Sequence, residues 1–124
     1  MGQGQQKLTT RNLRHFKRAQ KKQALQMLTC YDFQTAQMLN ETSLDIVLVG
    51  DSLGNVVLGF ETTVQVTLNH MEIFGAAVRR GAPNKFLVVD LPFGTYATLE
   101  EGLENSFHLF QQTGCEAVKL EGAS

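Results

Sequence analysis

The sequence has no tryptophan, only two prolines and two cysteines, and no acidic residue before Asp32. The two cysteines, Cys30 and Cys115, lack metal-ligand spacing, which excludes a disulfide-dense scaffold and a zinc cluster. Buried free thiols in a reducing compartment are the expectation. No apolar run reaches the length of a membrane span, and the N-terminus lacks a signal peptide's apolar centre. A cytoplasmic chain with no membrane partner is expected. A glycine-rich phosphate loop with its lysine is also missing. What remains, 124 residues with 43% hydrophobic and 19% charged side chains, describes one ordinary domain with a real core.

The net charge of −1 conceals an asymmetry. Lys7, Arg11, Arg14, Lys17, Arg18, Lys21 and Lys22 supply seven of the eleven basic residues, and after residue 22 four basic side chains face twelve acidic ones. Without interleaved aromatics or a nucleic-acid motif, this arm reads as the solvated face of a helix from about Thr10 to Lys21, with Leu13 and Phe16 turned inward. No nucleic-acid partner is expected. Residues 1–24 form this arm and leading helix, and 25–124 form the folded body.

The body alternates in character. Leu25–Cys30 reads as a strand, and Asp32 caps a short helix through Phe33, Ala36 and Leu39. Leu44–Gly50 is a second strand. Between Gly54 and Thr67 lies a long connection with a hairpin expected around Val56–Phe60 and Thr63–Val66. Thr67 caps a helix to Arg80, with Gly81 as its left-handed stop. Phe86–Val89 is the third strand. Thr98 and Glu101 have capping-box spacing, and Leu99, Leu103, Phe107 and Phe110 recur at helical intervals until Gly114. Ala117–Leu120 is the fourth strand. Strict alternation implies a parallel sheet. Four strands do not close a barrel, and an eight-stranded (β/α)8 barrel takes about 250 residues. The expectation is the first half of a TIM barrel.

Three of these strands run into a carboxylate: Asp51, Asp90 and Glu121. Ionised groups at the ends of strands covered on both faces are expensive unless they share a cation, a substrate or each other. In a parallel barrel those ends lie on the face where active sites are built. Lys119 and Glu121, two residues apart on a strand, point the same way, and a buried lysine needs an anion. The alternative is an ion-pair plug. Gly50-Asp51-Ser52-Leu53 also spells the nucleophile motif of a serine esterase family. The motif there follows the first strand, not the second, and the required Asp-x-x-His is absent here. The histidines His15, His70 and His108 read as surface or packing residues. Asn40-Glu41-Thr42 matches a glycosylation sequon by coincidence.

Five strings occur in order: Leu28-Thr29-Cys30-Tyr31-Asp32, Leu48-Val49-Gly50-Asp51-Ser52-Leu53-Gly54, Val78-Arg79-Arg80-Gly81-Ala82-Pro83-Asn84, Asp90-Leu91-Pro92-Phe93 and Val118-Lys119-Leu120-Glu121-Gly122. Together they resemble the ketopantoate (3-methyl-2-oxobutanoate) hydroxymethyltransferase family. The resemblance implies a Mg²⁺-dependent (β/α)8 barrel of pantothenate synthesis that forms a homo-oligomer. It moves a hydroxymethyl group from 5,10-methylenetetrahydrofolate to 3-methyl-2-oxobutanoate through a magnesium-stabilised enolate. Carried over by position, Asp51, Asp90 and Glu121 match the metal site, and Asp51, Ser52, Asp90 and Lys119 match residues that meet the oxoacid. The family's general base is expected beyond Ser124, so this chain alone is expected to be nearly inactive. Gln65, Phe74 and Ser43 depart from the family's usual proline, histidine and glycine, which touches local packing rather than the metal site. Two alternatives stand beside this reading. One is a non-catalytic half-barrel that associates through its exposed strand edges with a complementary fragment or full-length subunits. The other is another Mg²⁺/2-oxoacid barrel, such as a relative of the phosphoenolpyruvate mutase and isocitrate lyase group, which shares the site logic but not these strings.

Overall fold

A computed structural model describes residues 7–15 and 24–121. Its elements are α1 (Thr10–His15), β1 (Met27–Thr29), α2 (Phe33–Asn40), β2 (Ile46–Val49), α3 (Leu53–Val56), α4 (Leu68–Gly81), β3 (Phe86–Asp90), α5 (Leu99–Thr113) and β4 (Ala117–Lys119). The four strands form one parallel sheet in the order β1-β2-β3-β4. The α/β alternation expected from the sequence is therefore present.

The inner strands are the core. Val47, Val49, Phe86, Leu87 and Val89 are each at most 1% exposed. Side chains from both faces of β2 and β3 are thus removed from water, the pattern of a sheet covered on both sides. Each such Val, Leu or Phe contributes about 1.5–3 kcal/mol. The outer strands differ: every residue of β1 is exposed, and β4 is half-buried throughout. Short edge strands carry the open rims of this sheet.

Capping residues set the helix starts. The Asp32 carboxylate accepts from the Thr35 N–H at 2.7 Å. Thr67 accepts from the His70 N–H, while His70 Nδ1 accepts from the Thr67 N–H at 3.0 Å, a capping box closed by histidine. Thr98 accepts from the Glu101 N–H at 3.1 Å, so only the threonine half of that expected box is made. Gly114 ends α5 at φ 69°, in the left-handed region glycine tolerates.

Several local expectations are corrected. No hairpin forms between Gly54 and Thr67; the segment holds α3 and a 3-10 turn at Thr63–Gln65. Leu53 is fully buried and its carbonyl accepts from the Val57 N–H, so local helical bonds win over strand pairing. Gly81 is not a left-handed stop but the last residue of α4. A Cβ there would sit 2.6 Å from the Phe33 carbonyl oxygen and 2.7 Å from Ala36 Cβ, so glycine permits the close crossing of α2 and α4. The residues that recur at helical intervals do form α5, but Leu99, Leu103 and Phe107 are 80%, 50% and 66% exposed, and α5 buries Leu109 and Thr113. The basic helix is described only over Thr10–His15, with no buried residue, and Phe16 and Lys17–Lys22 lie outside the described residues. Lys7 is tied to the body through Glu116, at 2.9 Å.

Candidate functional site

The end of β3 supplies the centre of the site. Asp90 is its last residue, 5% exposed, and in the sheet register it stands beside Lys119, the last residue of β4. On its other side the chain leaves β2 through Gly50 to Asp51. The Asp51 N–H donates to Asp90 Oδ2 at 3.0 Å. Lys119 Nζ lies 3.3 Å from Asp90 Oδ1 and also donates to the Glu121 carboxylate. The Lys119–Asp90 approach gives attraction without hydrogen-bond geometry, so Asp90 Oδ1 is buried with no donor. A buried carboxylate oxygen in that condition is costly and is normally satisfied by something.

These side chains line one cleft of about 160 Å³. Its walls are Asp51, Asp90, Lys119 and Glu121, with Thr63, Val64, Leu91, Phe93 and Tyr96 around them. Burial, reinforced by the neighbouring Asp90 and Glu121 charges and partly offset by Lys119, raises the Asp51 pKa above the ordinary aspartate value. The Lys119 pKa is raised, chiefly by its hydrogen bond to Glu121, whose own carboxyl is held below the usual range by the same lysine. The site thus has one lysine shared between the exposed Glu121 and the buried Asp90, and a third carboxylate, Asp51, whose charge is disfavoured.

Four of the five sequence-assigned residues, Asp51, Asp90, Lys119 and Glu121, come together around this cleft. Ser52 lies beside it: its hydroxyl is 2.6 Å from the Tyr31 hydroxyl. A Cβ built on Gly50 would be 3.4 Å from both Ser52 Oγ and Asp90 Oδ2, so the two oxygens flank the bare face of that glycine. The expected trio Asp51, Asp90 and Glu121 does not assemble as a metal cage. Among the described residues no group of three or more His, Cys, Asp or Glu is arranged to hold an ion, and the Glu121 carboxylate accepts from Lys119. Asp51 and Asp90 do suit magnesium, which commonly takes one or two carboxylates and completes its shell with water or substrate.

Sequence reasoning overlooked Tyr31, Phe93 and Tyr96. Tyr31 follows β1 as Asp51 follows β2, so the strand-end rule that found the carboxylates reaches it too. Tyr96 holds the far wall, donating to the Glu121 carbonyl at 2.6 Å. The esterase reading finds no support in the histidines: His70 caps α4 and His108 pairs with Glu72, leaving Ser52 with a phenol for a partner.

A family model described as ketopantoate hydroxymethyltransferase matches residues 7–124. The chain belongs to the ketopantoate hydroxymethyltransferase family. It is 55% identical over 98 residues to 3-methyl-2-oxobutanoate hydroxymethyltransferase of Staphylococcus carnosus, covering 78% of this chain and 36% of that one. It is 52% identical over 101 residues to the same enzyme of Deinococcus radiodurans (81% and 36%), and 47% over 116 residues to that of Staphylococcus epidermidis (93% and 42%). The chain therefore spans about two fifths of the length of these relatives. Among solved structures it resembles two crystal forms of 2,3-dimethylmalate lyase, a PEP mutase/isocitrate lyase superfamily member. The TM-scores are 0.60 and 0.65, at 14% and 16% identity, over 90% of this chain and 38% and 39% of those. That likeness establishes the fold: the four-stranded sheet is part of a (β/α)8 barrel. The sequence relatives decide the family within it, a family of transferases. No helix among the described residues is long and apolar enough to cross a membrane.

Proposed function

We propose that this chain is the oxoacid- and metal-binding portion of a ketopantoate hydroxymethyltransferase. The reaction transfers a hydroxymethyl group from 5,10-methylenetetrahydrofolate to 3-methyl-2-oxobutanoate in pantothenate synthesis. The observation that carries this reading is the meeting of Asp51, Asp90 and Lys119 at the strand ends, with Asp90 Oδ1 buried and unsatisfied. Three carboxylates and one ammonium around one small cleft suit a divalent ion and a substrate that is itself an anion.

Asp51 and Asp90 would hold Mg²⁺, with Glu121 able to join once it leaves Lys119. When bound, the ion supplies Lewis acidity that makes the C–H next to the substrate keto group easier to deprotonate. Lys119 neutralises the oxoacid's negative charge, and the Ser52 hydroxyl donates to its carboxylate. The buried Leu91 side chain forms an apolar part of the wall near the reacting carbon. The base that removes the proton is expected beyond Ser124. General base catalysis is typically worth roughly 10²–10⁴-fold, so the 124-residue chain should turn over poorly alone.

The test is calorimetric titration of the chain with 3-methyl-2-oxobutanoate, with and without Mg²⁺. Magnesium-dependent binding that disappears in Asp90→Asn supports the proposal. Binding indifferent to both magnesium and Asp90 overturns it. Robust turnover by the isolated chain, supplied with the folate donor, would overturn only the placement of the base.

A further inference from the structure

We infer that Tyr31 is a positioning residue for the oxoacid, acting through Ser52; this rests on the reading that Ser52 meets the substrate carboxylate. Tyr31 lies two residues past the end of β1, is half-buried against the core, and brings its hydroxyl to 2.6 Å from Ser52 Oγ. Ser52 in turn flanks Gly50 opposite Asp90 Oδ2, at the rim of the carboxylate cleft.

The donor order follows from proton counting. A serine hydroxyl has one hydrogen and two lone pairs. If Ser52 gives its hydrogen to the substrate carboxylate, it meets Tyr31 only as an acceptor, so the phenol must donate. A phenolic hydroxyl is a stronger hydrogen-bond donor than an aliphatic one and suits that role. Tyr31 therefore fixes the Ser52 rotor with its hydrogen turned to the substrate. It also strengthens the outgoing bond, because hydrogen bonds in a chain polarise one another. Phenylalanine at this position keeps the packing and loses the order.

The experiment is a double-mutant cycle on the 124-residue chain, Tyr31→Phe, Ser52→Ala and both, read as affinity for 3-methyl-2-oxobutanoate in saturating Mg²⁺. Circular dichroism checks the fold of each variant. Tyr31→Phe alone should weaken binding roughly 2- to 13-fold. In the Ser52→Ala background the same change should do nothing, a coupling that a packing role does not produce. A second comparison changes only the donor strength of Tyr31: within a Tyr96→Phe background, 3-fluorotyrosine in place of tyrosine makes Tyr31 a stronger donor and should tighten binding below neutral pH. Additive losses, or binding indifferent to both Tyr31 changes, overturn the inference while leaving the Asp90 result standing. No magnesium-dependent oxoacid binding by the unaltered chain overturns both the inference and the reading beneath it.

Discussion

The Asp51 N–H donates to Asp90 Oδ2 across 3.0 Å, fastening the exit of β2 to the last residue of β3. The bond uses one oxygen of a buried carboxylate to set the backbone that carries the other. It leaves Asp90 Oδ1 facing Lys119 at 3.3 Å, which makes the site polar on one side and anchored on the other.

Asp90→Asn tests this arrangement. The amide can keep the Asp51 contact through its carbonyl oxygen but gives up the charge opposite Lys119 and the anionic ligand. Outer partners of metal ligands are typically worth 10–100-fold in metal affinity, so losing a ligand itself should cost at least roughly tenfold. Mg²⁺ titration followed by NMR shifts of the Asp51 amide is the measurement. Unchanged magnesium affinity would remove Asp90 from the metal site.

Gly81 and Gly102 offer a matched pair for stability. Alanine usually gains up to about 1 kcal/mol over glycine inside a helix. At Gly102 the added Cβ meets Tyr96 Cβ at 3.3 Å, a contact that asks the loop carrying Tyr96 to shift only slightly, so Gly102→Ala should be neutral or slightly stabilising. At Gly81 it meets the Phe33 carbonyl oxygen at 2.6 Å, and backbone against backbone has nowhere to go. Gly81→Ala should lower stability by about 1–3 kcal/mol despite its propensity gain. Urea melts of the two variants decide this, and equal shifts would refute it.

Glu116 should govern acid stability at the opposite end of the strands. Its burial pushes the pKa up, but the Leu87 N–H, Lys7 and Arg79 outweigh that and hold it below the ordinary glutamate value of 4.5. A folded pKa below the unfolded one means that Glu116 stabilises the fold above the unfolded pKa, and this is lost as pH falls through the folded value. Denaturant midpoints measured from pH 6 down to pH 2, in roughly unit steps, should fall less steeply in Glu116→Gln than in the unaltered chain. Parallel curves would show that other carboxylates set the acid limb.

The α5 stripe predicts association behaviour. Leu99, Leu103 and Phe107 are at least half exposed, and Phe110 is 37% exposed. Exposed apolar residues in line on one helix favour sticking between molecules. Leu103→Gln with Phe107→Gln should leave thermal stability within about 0.5 kcal/mol, as surface changes usually do, while light scattering falls. A large loss of stability would mean that the stripe is packed within the chain after all.

Much of this molecule is legible in order along the chain. Apolar runs of β-branched residues specify β2 and β3, threonine and aspartate caps specify the starts of α2, α4 and α5, and Gly114 specifies a stop, because each depends on neighbours within a few residues. The strand-end carboxylates are legible for the same reason, since parallel strands bring their C-terminal ends to one side. Tertiary structure decided the rest. Only packing could make Gly81 a helix crossing instead of a turn, turn Leu99, Leu103 and Phe107 outward while Leu109 and Thr113 went in, and seat Asp90 between the Asp51 N–H and Lys119. Periodicity marks which residues share a helix face but not which neighbour arrives to cover it, and a carboxylate's position in sequence does not say which cation reaches it first.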